Sequence, residues 1–138
     1  MLRTLIIDDE THIRDTLRKL VARHCPQVSV IGEAAGVAEG IKAIRSLHPD
    51  LVFLDINLKD GTGFDLLNVF PTNDFKVIFI SAFDKNTIRA FKLSGLEYLM
   101  KPFEPAEINS AINRVINSDL SSFSLQFEAM KMNMRGAT

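Results

Sequence analysis

The chain has 138 residues, 46% hydrophobic and 24% charged, with 16 basic residues against 17 acidic ones and a net charge of -1. A chain of this length buries roughly two-thirds of its unfolded surface as one domain, and its charge balance argues against broad electrostatic capture of nucleic acid or an anionic membrane. No apolar stretch approaches the roughly 18 residues that a membrane span needs, and Cys25, the single cysteine, cannot form an internal disulfide, which fits a reducing cytoplasm.

Leu5-Ile6-Ile7 is the first apolar run, and it stops at once in Asp8-Asp9-Glu10, unlike a secretory leader. Ile13, Leu17, Leu20 and Val21 then follow the i, i+4, i+7, i+8 spacing of one helical face within residues 10–24, and Pro26 closes that helix. Val28, Val30 and Ile31 predict a second strand. Ala38, Ile41, Ile44 and Leu47 give another helical stripe that ends near His48-Pro49. Leu51-Val52-Phe53-Leu54 predicts a third strand, again terminated by an acid, Asp55. The loop Lys59-Asp60-Gly61-Thr62-Gly63 is turn-rich, with two glycines where a positive φ is expected. A short helix through Leu66 and Leu67 precedes Pro71. Val77-Ile78-Phe79-Ile80 predicts the fourth strand, ending at Ser81. Residues 85–94 predict a helix that buries Ile88, Phe91 and Leu93, with Gly95 as its C-cap. Glu97 to Met100 is a weaker fifth strand. Residues 105–117 are the last clear helix, with Ile108, Ala111, Ile112, Val115 and Ile116 on one side.

Five strands alternating with five helices read as a doubly wound α/β domain. Strands apolar at every position, rather than at alternate ones, suit a parallel sheet covered on both faces. In such folds ligands sit beyond the carboxyl ends of the strands. Those ends carry Asp8-Asp9, Asp55, Ser81 and Lys101, while the second strand ends near Glu33 without a comparable cluster. Singly, each residue has an ordinary explanation: an Asp or Ser after a strand caps a turn or a helix, and a lysine is a solvated side chain. Jointly they do not. Three carboxylates at one sheet edge destabilise the fold unless something positive lies between them. Oxygen ligands without His or Cys favour a hard cation such as Mg²⁺. Such a centre suits a phosphoryl group, because the metal and a lysine neutralise its oxygens while a carboxylate attacks.

These residues together resemble a response-regulator receiver domain, the phosphoacceptor half of two-component signalling, from about Arg3 to Asn117. The motifs that carry the resemblance are Ile7-Asp8-Asp9-Glu10, Leu54-Asp55-Ile56-Asn57-Leu58, Gly63, Ile80-Ser81-Ala82 and Tyr98-Leu99-Met100-Lys101-Pro102-Phe103. The resemblance implies a flavodoxin-like fold over residues 1–118: a five-stranded parallel sheet in the order 2-1-3-4-5 with helices on both faces. It implies that Asp55 accepts a phosphoryl group from a histidine kinase, and that Asp9, Asp55 and the backbone carbonyl of Asn57 hold Mg²⁺ directly while Asp8 helps through water. Ser81 is then the switch hydroxyl, Lys101 the phosphoryl-pairing lysine, and Tyr98 the aromatic that follows Ser81 inward. A cis Lys101-Pro102 bond is implied too. The change is read out on the fourth helix, fifth strand and fifth helix, where a partner or a second copy binds, so the chain is a cytoplasmic switch rather than a turnover enzyme.

Ser81-Ala82-Phe83-Asp84 followed by Ile88-Arg89-Ala90-Phe91 looks like the LytTR-type subgroup of transcriptional regulators. There a β-rich DNA-binding domain follows the receiver; DNA would be reached only through that domain, which this chain lacks, as a truncated protein or a stand-alone receiver. Two positions bear on performance. Lys59 stands where the family usually has proline, so a less rigid loop is expected. Phe83, bulky and apolar, predicts slow self-dephosphorylation. Two rival readings are weaker. An aspartyl-phosphate phosphatase or phosphotransferase needs a general acid where Asn57 stands, and a flavin site needs a phosphate-cradling loop where Asp8-Asp9-Glu10-Thr11 stands.

Residues 119–138 read as a linker, or a C-terminal extension toward an absent output domain. Ile116, Leu120, Phe123, Phe127, Met130 and Met134 are spaced as a coiled-coil seam that suits a dimer contact. Ser121, Ser122 and Ser124 are poor helix formers and favour a linker, while the alternation of Phe123, Leu125 and Phe127 would also suit a strand. Cys25 is expected to be half-buried and inert. His12, His24 and His48 lack metal-ligand spacing, and Gly36 with Gly40 makes no phosphate loop.

Overall fold

Strand β1 (Leu2–Ile7) is followed by α1 (Thr11–His24), β2 (Val28–Ala34), α2 (Val37–Leu47) and β3 (Leu51–Asp55). A two-residue hairpin, β4 (Asn57–Leu58) with β5 (Gly61–Thr62), leads into the short α3 (Gly63–Asn68). Then come β6 (Lys76–Ser81), α4 (Lys85–Ser94), β7 (Tyr98–Met100), α5 (Pro105–Ile116) and α6 (Phe123–Gly136). The computed structural model describes residues 1–70, 74–82, 84–118 and 123–136; Pro71, Phe83, Leu120, Ser121 and Ser122 lie outside them. No helix among the described residues is long and apolar enough to cross a membrane.

The main sheet runs β2-β1-β3-β6-β7, with every neighbouring pair parallel. Leaving out the small hairpin, this is the expected 2-1-3-4-5 order. Consecutive apolar residues are needed because successive side chains leave a strand on opposite faces. Leu5, Ile7, Val52, Leu54, Val77 and Phe79 face α2, α3, α4 and α6. Ile6, Leu51, Phe53, Ile78, Ile80 and Leu99 face α1 and α5. Phe53 and Phe79 are both fully buried, one on each side. Each such burial stabilises the fold by about 1.5–3 kcal/mol.

Local signals set the helix ends. The Asp84 carboxylate accepts hydrogen bonds from the amides of Asn86 (2.9 Å) and Thr87 (3.3 Å), which starts α4, and Gly95 at φ 75° ends it. Thr62 and Asp65 form a reciprocal capping box at the start of α3. The face that α4 buries differs from the expected one. Thr87, Ala90, Phe91 and Ser94 are inside, whereas Leu93 is 65% exposed. Spacing i, i+3, i+4, i+7 is kept, but two small polar residues occupy it. Cys25 is fully buried rather than half-buried.

The tail is helical where it is described. Phe123, Phe127 and Met130 of α6 turn into the core beside α4, and Phe127 stacks on Phe64 at 6.0 Å between ring centroids. The alternation that suited a strand is overridden by this helical face. Leu125 and Met132 point outward and are 77% and 68% exposed. Three residues of the expected seam therefore contact their own domain; Ile116 is 40% exposed, and the Met134 side chain and Leu120 are outside the described set.

Candidate functional site

Parallel pairing brings the carboxyl ends of β1, β3, β6 and β7 to one edge. Asp8 directly follows β1, its amide extending the ladder to the Ala34 carbonyl at 3.1 Å, and its side chain is fully buried. The Glu10 amide donates to Asp8 Oδ1 at 2.9 Å, which holds the carboxylate across the β1–α1 turn. Asp55 closes β3 and is 5% exposed, with the Asn57 amide 3.4 Å from its Oδ1. Asp9 lies at the rim. Asp8, Asp9 and Asp55 each offer a carboxylate oxygen within 4.8 Å of the others.

Lys101 supplies the balancing charge. Its amide donates to the Ser81 carbonyl at 2.8 Å, which anchors the residue beside β6. Its ammonium then lies 2.8 Å from Asp8 Oδ2 and 3.3 Å from Asp55 Oδ2. Burial, then the Asp8 charge, push the Asp55 carboxyl up to about 6, against the smaller pull of Lys101 and the Asn57 amide. Burial pulls the Lys101 ammonium down, but the two carboxylates outweigh it and hold it above its ordinary value. The edge therefore keeps an excess of negative charge.

Of the residues expected from the sequence, Asp8, Asp9, Asp55 and Lys101 are brought together. Ser81 ends β6 in register with Met100, and its hydroxyl donates to the Ala82 carbonyl at 2.8 Å. Tyr98 stands away from the acids at the start of β7. Its ring stacks on Phe91 at 5.0 Å and borders a groove of about 410 Å³ lined by Glu97, Met100, Glu107 and Arg114. Asn57 begins β4, two residues past the end of β3. The Lys101-Pro102 bond is cis. Phe83 lies outside the described residues.

Gly63 plays a different part from the expected one. It has no positive φ; a Cβ there would sit 2.6 Å from the Asp55 carbonyl oxygen, so close approach is what excludes a side chain. Gly61, at φ 150°, does need its conformational freedom. Two polar residues near the site escaped the sequence reading. Arg14 donates through Nη1 to the Asp8 carbonyl at 2.6 Å and through Nε to Glu33 at 3.1 Å, tying α1 to the acid turn and β2. Asp60 accepts from the amides of Val37 (2.6 Å) and Ala38 (3.1 Å) at the start of α2. Arg14 borders the apolar stripe of α1, a faint signal. Asp60 looked like any turn residue.

The donors suit a small hard cation. All three side chains offer only oxygen, Asp8 and Asp55 are buried, and Asp8 Oδ2 makes an ion pair but no hydrogen bond of good geometry. Such a set accepts Mg²⁺, which needs one or two carboxylates and keeps several waters.

Residues 4–113 match the family described as response regulator receiver domain. A sensory transduction protein LytT of Enterococcus faecalis is 39% identical over 116 residues, covering 82% of this chain and 47% of that protein. An uncharacterized response regulatory protein of Vibrio parahaemolyticus is 39% identical over 116 residues, covering 83% of this chain and 48% of its own. The chain thus spans about half the length of these curated relatives. Among solved structures, the response regulator domain of Thermotoga maritima CheB aligns with a TM-score of 0.72 at 22% identity, over 86% of this chain and 98% of that one, a likeness of fold.

Proposed function

The chain belongs to the response regulator receiver domain family of two-component signalling, and on that premise we propose that it is a Mg²⁺-dependent phosphoacceptor switch acting through Asp55. The observation that carries this reading is the Lys101 ammonium shared between Asp8 and Asp55 beside the open rim at Asp9. Asp8, Asp9 and Asp55, with the Asn57 carbonyl, would hold the ion, which when bound neutralises phosphoryl oxygens and the acids beside them. An Asp55 carboxylate oxygen attacks the phosphorus of a phosphohistidine on a histidine kinase. The phosphorus–nitrogen bond breaks, and the imidazole leaves with the bonding pair and takes up a proton from water. Lys101 pairs with a phosphoryl oxygen and gives up part of its contact with Asp55.

Ser81 is the group free to report the event. Its hydroxyl now spends its hydrogen on the neighbouring Ala82 carbonyl. A phosphoryl oxygen on Asp55 is a charged and stronger acceptor, so Ser81 turns toward it and Tyr98 follows. The repacked surface is that of α4, β7 and α5, where a second copy or a partner binds. The phosphoryl group acts by population shift, through contacts made in one conformer and absent from the other. The likeness to a LytT sensory transduction protein supports the LytTR-type resemblance and with it a transcriptional output, with DNA reached through a domain beyond residues 1–118. Residues 119–138 then serve as the linker or extension toward that domain, in the cytoplasm.

The test is intact mass after incubation with acetyl phosphate and Mg²⁺. The expected result is a gain of one phosphoryl group, absent without Mg²⁺ and absent in Asp55→Ala. A gain that persists in Asp55→Ala would overturn the assignment of the acceptor.

A further inference from the structure

Asp55 is followed by a loop that must place the Asn57 carbonyl, yet the loop has no proline at Lys59 and was expected to be loose. Its observed anchoring comes from elsewhere. The Asp60 carboxylate spends both oxygens on the first two amides of α2, at 2.6 and 3.1 Å, across 23 and 22 residues of sequence. Gly36 makes this reach feasible: a Cβ there would stand 2.7 Å from Asp60 Oδ1. Around Asp60 the chain doubles back as the β4–β5 hairpin, Asn57 pairing with Thr62 and Leu58 with Gly61. At the far end, the Gly63 amide donates to the Ile56 carbonyl at 2.8 Å, and its bare Cα abuts the Asp55 carbonyl. The loop is thus pinned at its tip by Asp60 and at its base by Gly63, with Asn57 between the two pins.

We propose that Asp60 is a positioning residue for the metal centre: by clamping the loop tip to α2 it fixes the Asn57 carbonyl where an ion held by Asp9 and Asp55 needs its backbone ligand. This rests on the phosphoacceptor reading and adds to it a residue that touches neither the ion nor the phosphoryl group. The physical basis is that a ligand held in place beforehand loses less freedom on binding, so its restraints appear in affinity. Charge alone acts in the same direction, but weakly. Removing a carboxylate three residues from Asn57 slightly disfavours a cation at long range through solvent, whereas losing the clamp acts on geometry. Asp60→Asn separates the two, because it removes the charge and keeps one acceptor oxygen.

The measurement is a Mg²⁺ titration by calorimetry on the full chain, paired with the initial rate of phosphorylation by acetyl phosphate as Mg²⁺ is varied. Asp60→Ala is expected to weaken Mg²⁺ binding about tenfold and to leave the rate at saturating Mg²⁺ near that of the unaltered chain. Asp60→Asn is expected to lie between. Gly36→Ala, which pushes the Asp60 carboxylate off the amides without deleting it, is expected to reproduce Asp60→Ala. Unchanged Mg²⁺ affinity in Asp60→Ala and Gly36→Ala, with only a lower melting temperature, overturns the proposal and leaves Asp60 a helix cap. Failure of the underlying reading looks different: the unaltered chain itself then takes up neither Mg²⁺ nor a phosphoryl group.

Discussion

Two buried carboxylates share one ammonium at the acidic edge, and the consequences are read most directly at Asp55. Its carboxyl is raised to about 6 in the folded, metal-free chain, from an ordinary 3.8. The folded state then binds more protons than the unfolded one between those values. Asp55 therefore takes stability away as pH rises from about 4 to about 6, on the order of 3 kcal/mol in all. Asp55→Asn removes that penalty but also the contact with Lys101. Urea unfolding without metal should show the variant about 1–3 kcal/mol more stable than the unaltered chain at pH 7, with the difference shrinking toward pH 4. Lys101→Met does the reverse, leaving Asp8 and Asp55 unopposed. A loss of about 3 kcal/mol at pH 7 is expected from the same measurement. Asp8, Asp55 and Lys101 were legible in the sequence because each directly terminates an apolar run, so the sheet itself sets their position. Asp60 and Arg14 were not. What they touch depends on where loops and helices come to rest.

Helix α6 shows how far a periodic pattern can be read. The spacing of Phe123, Phe127 and Met130 suited a helical seam at a dimer contact, beside linker and strand readings of the same residues. The partner is supplied by tertiary packing: α4 presents Ala90 and Phe91, and Ser94 Oγ lies 3.8 Å from Met130 Sδ. Gln126 and Lys131 add polar ties to the Gly95 carbonyl (3.4 Å) and Asn68 (3.3 Å). A buried Phe→Ala change costs about 3–5 kcal/mol when the structure must hold around the cavity. A terminal helix has an alternative, which is to leave. Phe127→Ala should speed hydrogen exchange across residues 124–136 while the β3 amides stay protected. Leu125→Ala, on the exposed side, should change neither. Loss of protection in both α6 and β3 would show that α6 folds as one unit with the sheet. The misread face of α4 has the same origin. Thr87 and Ser94 are polar by composition but small enough to pack inward, and hydropathy alone ranks Leu93 above them.

Across the whole molecule, burial on both faces is what made the sheet legible, since it demands uninterrupted apolar runs. The order of the strands has a further consequence, in time. β1 and β3 are sheet neighbours, separated in sequence by α1, β2 and α2, and between them they carry all three acids. β7 is a three-residue edge strand that pairs with β6 alone, and it brings Lys101. The two answers to the negative charge therefore belong to different stages of folding. If β1 and β3 pair early, the acid cluster exists before its lysine does. Mg²⁺ should then act mainly on the rate of folding, and Lys101→Met mainly on the rate of unfolding. Stopped-flow chevrons with and without Mg²⁺ separate the two; an effect of both on the unfolding limb alone would place the assembly of the acids late as well. On the early-pairing order, the cation attends the birth of the site and the lysine its keeping.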